Sequence, residues 1–135
     1  MSPRAHGIDL VDVARIERMM ADHGERFLDR VFTVHERGDC ESTPARRAER
    51  LAARFAVKEA ALKALGTGWR SGIAWTDVET RLEPSGAPVL HLHGRARELA
   101  AERDIGVWLV SISHAGGMAM ASVIGCSAGP LGSVP

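Results

Sequence analysis

The stretch "TPARRAERLAARFAVKEAALKALGTG", residues 43–68, is the strongest helical signal in the chain, and the rest of the fold must pack against it. Thr43 is suited to the N-cap, Pro44 to the first helical position and Gly66 to the terminator. At about 100° per residue, Leu51, Phe55, Leu62 and Leu65 fall within roughly 80° of one another, an apolar stripe that requires a partner. Lys58 sits in the middle of that stripe. There it either snorkels its ammonium to the rim or meets a buried anion. Glu59 and Lys63, four residues apart, share one edge of the stripe, and Arg54 lies on the opposite edge.

The remaining elements are shorter. "HGIDLVDV" at 6–13 alternates Ile8, Leu10 and Val13 with Asp9 and Asp12, the pattern of a strand. It gives way to "ARIERMMADHG" at helical spacing, ending near Gly24, and "ERFLDRVF" is a second short helix. "IAWTDVETRLEP" and "APVLHLHG" flank Ser85 and Gly86 as a hairpin, and "RARELAAERD" is a further short helix. "IGVWLVSISH" and "GMAMASVIG" are strands joined through Ala115, Gly116 and Gly117. The sum is an α+β fold, a mostly antiparallel sheet packed on one long helix. It occupies residues 1–125, and the Gly, Pro and Ser of "CSAGPLGSVP" mark 126–135 as a flexible tail.

Composition narrows the function. A chain of 135 residues, 45% hydrophobic and 25% charged, fits one domain with its own core. Seventeen basic against seventeen acidic side chains leave no net charge, which argues against nucleic acid or an anionic membrane as a bulk partner. Any anion site must therefore be local. No apolar run is long enough for a signal peptide or a membrane span, so a cytoplasmic location is expected. Cys40 and Cys126 are far apart and lack the spacing of a zinc site or a disulfide framework.

Lys58 and Lys63 are the only lysines; every other basic side chain is arginine. A lysine ammonium is a compact charge on a flexible stem, suited to a phosphate oxygen, whereas arginine prefers flat bidentate pairing. A neighbouring carboxylate suits Mg²⁺, which takes one or two acidic ligands with phosphates and water. Lys58, Glu59 and Lys63 thus suggest a metal and phosphate site, with Asp9 as a second carboxylate. The plain alternatives are a Glu59–Lys63 surface pair worth about 0.4 kcal/mol and an Asp9 turned to solvent.

Four blocks, "GIDLVDVARIERM" at 7–19, "FTVHE" at 32–36, "RFAVKEAALKALGTG" at 54–68 and "SISHAGGMAMASVI" at 111–124, resemble the signatures of the holo-[acyl-carrier-protein] synthase family. This is the small bacterial branch of the 4′-phosphopantetheinyl transferase superfamily. The resemblance implies transfer of 4′-phosphopantetheine from coenzyme A to a serine of apo acyl carrier protein, releasing adenosine 3′,5′-bisphosphate. It implies that Asp9 and Glu59 bind Mg²⁺ with the coenzyme A pyrophosphate, and that Lys63 approaches the phosphates and assists the reaction. Arg46, Arg54, Gly66, Gly68 and His114 match positions that contact the nucleotide end, and Lys58 is a further candidate there. The family places a hydroxyl or acidic residue after this histidine, where the chain has Ala115.

Arg15, Arg18 and Met19 share one side of the first helix, and Arg26 and Phe27 follow nearby. By resemblance this surface docks the acidic carrier protein; by pattern alone it is an amphipathic helix with solvated arginines. The resemblance also implies a homotrimer with active sites between subunits. Against all of this stands a non-catalytic α+β binding module in which Glu59 and Lys63 are only a surface pair.

Overall fold

A computed structural model of the chain describes residues 1–69 and 72–129. The N-terminal alternation forms a strand longer than the residue pattern suggests, β1 at Ser2–Asp12. It runs into α1, Val13–His23, which Asp12 caps by accepting from the Ala14 N–H. Then follow α2 at Glu25–Val31, α3 at Val34–Glu41, a 3₁₀ turn at Pro44–Arg46 and α4 at Arg47–Leu65. A second 3₁₀ turn at Trp75–Asp77 leads to β2 at Val78–Leu82, β3 at Pro88–Leu92, α5 at Gly94–Glu102, β4 at Val107–Ala115 and β5 at Met118–Ser127. β1, β5 and β4 form one antiparallel sheet in that order, and β2 pairs with β3 in a separate antiparallel hairpin. The α+β architecture around one long helix is therefore the observed one.

Three boundaries differ from the sequence reading. Thr43 makes no side-chain cap, and α4 starts after the 3₁₀ turn that Pro44 opens. Helix α3 has no clear apolar period and was not anticipated, yet Thr33 and Glu36 form a complete capping box at its start. Cys126 and Ser127 belong to β5, not to a tail: Cys126 pairs with Val107 and Pro3, and Ser127 with Ser2. Residues 130–135 of the expected tail lie outside the described residues.

Helix α4 is buried on more than one side. The stripe of Leu51, Phe55, Leu62 and Leu65 is joined in the core by Ala52, Ala56, Ala60 and Ala61. These small side chains let β1 approach closely, and a Cβ added at Gly7 would land on the Ala60 carbonyl. Gly7, Asp9 and Val11 consequently face α4, while Ile8 and Leu10 remain 48% and 59% exposed on the outer face of the sheet. The apolar alternation of β1 thus points outward at its centre, opposite to a simple amphipathic strand. Gly66 ends α4 in the left-handed conformation, φ 74°, its N–H returning to Leu62 and Lys63 carbonyls.

Lys58 is a buried structural pair. Its side chain is fully buried, and Nζ donates to Glu36 Oε1 at 2.8 Å, to the Trp75 carbonyl at 3.1 Å and to the Val78 carbonyl. Glu36, equally buried, also accepts from the Thr33 N–H at 3.0 Å and the Thr80 N–H at 3.0 Å. Burial lowers the Lys58 pKa, and the Glu36 charge opposes the shift. A neighbouring carboxylate, Glu79, accepts from Thr33 Oγ1 at 2.5 Å, Arg81 Nε at 2.8 Å and His93 Nε2 at 3.1 Å. Burial alone would raise its pKa, but these donors outweigh it and hold the carboxyl at about 2.

Replacing Lys58 by Met strands the Glu36 charge, and the unfolding free energy in urea should fall by about 4 kcal/mol, with Lys58→Met/Glu36→Gln recovering part of the loss. Glu79 makes a second test. With its carboxyl at about 2 in place of 4.5, its contribution is present above pH 4.5 and lost as pH falls toward 2. Glu79→Gln should flatten the acid side of the stability profile in that window; an unchanged slope would contradict this assignment.

Candidate active site

Helix α4 carries most of the candidate groups, and its rotation decides which can meet. Arg54 and Glu59 are five residues apart, about 7.5 Å along the axis and roughly 140° around it, so they serve different faces. Lys63 does not pair with Glu59 across one helical turn. It crosses to β1, where Nζ meets Asp9 Oδ1 at 2.9 Å and the Ile8 carbonyl at 3.0 Å. Asp9, turned toward α4 and only 17% exposed in its side chain, is not the solvated strand residue of the simpler reading.

Glu59 is half-buried beside this pair. Burial raises its pKa, and the nearby Asp9 charge raises it further, against the opposing influence of Trp69, Arg15 and Lys63. Among the described residues the Trp69 indole N–H, though close, makes no hydrogen bond of normal geometry. Two carboxylates that repel each other, with one ammonium between β1 and α4, are a hard-oxygen donor set whose surplus charge a divalent cation would relieve. Among the described residues no third carboxylate, His or Cys joins them, so phosphate oxygens and water would complete the shell. The residues present fit Mg²⁺ on those terms.

Glu59 also lines a groove of about 500 Å³ bordered by Arg15, Met19, Arg26 and Phe27. The Arg15 guanidinium lies 5.4 Å from the Phe55 ring centroid, Phe55 stacks on Trp75 at 5.0 Å, and Trp75 contacts Trp69 at 3.6 Å. Phe27 is 5% exposed and packs edge-on against Phe32, so it forms wall more than protruding contact. Arg18 is exposed on α1 but does not line the groove. His23 and Arg30 do line it. Their spacing of four from Met19 and Arg26 was the sequence signal that could have found them.

A second cavity, about 430 Å³, lies between the start of α4, β4 and the β2–β3 hairpin. Arg46, Arg50, Arg54 and His114 supply its basic lining. Arg54 is 4% exposed; Nη1 donates to the Arg50 carbonyl at 3.3 Å, while among the described residues Nε and Nη2 have no hydrogen-bond partner, Asp39 being 3.8 Å away. Buried guanidinium N–H groups left open beside a cavity call for an anion. Arg50 was missed in the sequence, although Arg46, Arg50 and Arg54 repeat every four residues. His114 Nδ1 lies 3.6 Å from Glu49 Oε1, and Ala115 after it brings no polar side chain.

The groove at Glu59 and the basic cavity share no lining residue. Gly66 and Gly68 are exposed at the far end of α4 and line neither. Lys58, named above as a candidate for the nucleotide end, is corrected here: it is fully buried and its donors are used by Glu36 and two carbonyls. Both cysteines are buried, and burial pushes the Cys40 thiol up to about 11, which leaves it unreactive. Among the described residues no helix is long and apolar enough to cross a membrane.

The sequence profile of the 4′-phosphopantetheinyl transferase superfamily matches residues 5–114. The holo-[acyl-carrier-protein] synthase of Geobacter metallireducens is 43% identical over 118 residues, covering 87% of this chain and 93% of the relative. That of Alkalilimnicola ehrlichii is 51% identical over 94 residues, covering 70% and 73%. Among solved structures, the fold is similar to Helicobacter pylori holo-[acyl-carrier-protein] synthase in complex with coenzyme A, with TM-score 0.78, 32% identity and coverage of 89% of this chain and 98% of that one. It is also similar to the Bacillus anthracis holo-(acyl-carrier-protein) synthase in complex with CoA (3′,5′-ADP), with TM-score 0.77, 31% identity and coverage of 95% and 100%. With the profile spanning most of the folded chain and its motif residues meeting at β1 and α4, the chain belongs to the 4′-phosphopantetheinyl transferase superfamily, within the holo-[acyl-carrier-protein] synthases.

Proposed function

We propose that this protein transfers 4′-phosphopantetheine from coenzyme A to a serine of apo acyl carrier protein. The observation that carries this reading is the meeting of Asp9, Lys63 and Glu59 at β1 and α4, apart from a basic cavity at the other end of that helix. In the reaction the serine oxygen forms a bond to the β-phosphorus of the pyrophosphate, the P–O bond to adenosine 3′,5′-bisphosphate breaks, and the serine proton leaves. The barrier is set by negative charge on the phosphoryl oxygens and the departing bisphosphate. Asp9 and Glu59 would hold Mg²⁺, which when bound offsets that charge. The Lys63 ammonium, anchored by Asp9 and the Ile8 carbonyl, adds a fixed positive charge at the same place. Glu59, the carboxylate that lines the groove, is the side chain that would receive the serine proton, directly or through a water.

Arg46, Arg54 and His114 hold the phosphates of the nucleotide end in the basic cavity, joined by Arg50. The carrier, acidic around its serine, docks at the groove of Arg15, Met19, Arg26 and Phe27, with Arg18 exposed on the same helix. Charge complementarity there directs the encounter. Coenzyme A and carrier protein as substrates suit a cytoplasmic enzyme.

The assembly is a homotrimer with active sites between subunits. Two features support it. Ile8, Leu10, Leu109 and Met120, 40–59% exposed, share the outer face of the sheet, an apolar patch of the kind that seeks cover. The groove and the basic cavity are also separate in one chain, as they would be if neighbours completed each site.

Incubated with coenzyme A, Mg²⁺ and apo carrier, the protein should add the phosphopantetheine mass to the carrier; no addition to any of several carriers would sink the reading. Glu59→Gln and Lys63→Met should keep the fold and lose about 100-fold in kcat. Leu10→Asp should convert the trimer measured by light scattering to monomer and abolish transfer at low protein concentration. A variant that stays trimeric removes this face from the assembly.

A further inference from the structure

Glu49 is misplaced by charge. It lines the cavity that Arg46, Arg50 and Arg54 make attractive to an anion, where a carboxylate repels the ligand. Its place in the first turn of α4 favours an acid through the helix dipole, but that asks only for a charge and not for a particular partner. As the third residue of α4 it stands where an acid commonly reaches back to the N-cap N–H, yet among the described residues its carboxylate makes no hydrogen bond. Its partner is His114, Nδ1 to Oε1 at 3.6 Å, the separation of an ion pair more than of a hydrogen bond. Both residues also border a smaller cavity of about 360 Å³ with Asp12, Glu17 and the Gly116–Gly117 turn. His114 thus borders two cavities, one shared with Arg46, Arg50 and Arg54 and one with Asp12 and Glu17 from the end of β1 and from α1, and Glu49 of α4 lines both.

We propose that Glu49 is a positioning residue that holds His114 by Nδ1, leaving Nε2 to face a phosphate of the coenzyme A nucleotide end. The inference rests on the transfer reading above. Which ring nitrogen carries the proton is set by what the other one meets. With Nδ1–H turned to Glu49, Nε2 is the nitrogen left for the ligand. Between a carboxylate on Nδ1 and a phosphate on Nε2, each ring nitrogen meets an anionic acceptor, so an N–H on either side makes a charge-assisted hydrogen bond. Glu49 thus costs direct repulsion and returns it through His114.

The two roles predict opposite signs. If Glu49 were only a repelling charge or a helix-end acid, Glu49→Gln would bind coenzyme A as tightly as the native protein or more tightly. As a positioning residue, its loss should weaken coenzyme A binding by about tenfold, in KM and in calorimetric Kd, with kcat changed less than about twofold. Glu49→Asp should recover part of the affinity. In a His114→Ala background Glu49→Gln should weaken binding no further, because it acts through the ring. In the native protein, ¹⁵N shifts of the His114 ring should report a protonated Nδ1, a readout that stands even if a variant fails to fold. Unchanged or tighter binding by Glu49→Gln, an equal loss without His114, or an unprotonated Nδ1 overturns the proposal. Native protein that takes up no coenzyme A refutes the transfer reading and this inference together, whereas native binding with an indifferent Glu49→Gln refutes this one alone.

Discussion

The buried pair of Lys58 and Glu36 sets the geometry on which both chemical regions depend. Two charges without solvent contact are tolerable only when every donor and acceptor is used, and here Lys58 has three acceptors while both Glu36 oxygens are taken. The partners come from α3 and from the continuous stretch of the 3₁₀ turn at Trp75 and β2, so one ammonium fastens α4 to two separate segments. It also fixes the rotation of α4. With Lys58 locked inward, Arg54 is turned to the basic cavity and Glu59 and Lys63 to β1 and the groove. A helix free to roll by one residue would lose both regions at once.

A second constraint is backbone proximity. The absence of a side chain at Gly7 lets β1 lie against the Ala60 turn of α4. That approach brings Asp9 within an ion pair of Lys63 and turns Ile8 and Leu10 away from the core. One register thus places a carboxylate beside Lys63 and an apolar face on the outside.

The electrostatics are local throughout. The chain has no net charge, yet three arginines and a histidine converge on one cavity, and two carboxylates and a lysine converge at another place. The division follows the side chains' chemistry. Arginine forks line the cavity, and the lysine sits as a compact charge beside a carboxylate. Glu49, the one acid lining that cavity, lies 3.6 Å from His114.

The sequence by itself determined the elements with strong periodicity, the long helix, the hairpins and the antiparallel class, because side-chain spacing and turn residues act locally. It also disclosed Asp9, Glu59 and Lys63, whose types in that order are chemically restrictive. Only the tertiary structure decided whom they meet. Lys63 prefers Asp9 across 54 residues of chain to Glu59 one turn away, and Lys58 finds Glu36 inside the core rather than a phosphate. Helix α3 was carried by a capping box without an apolar period, and the outward face of β1 followed from Gly7 against Ala60. The physical reason is common to these cases: burial and close backbone approach are properties of the packed chain, and they outweigh the weak pairings that neighbouring residues on one helix can offer.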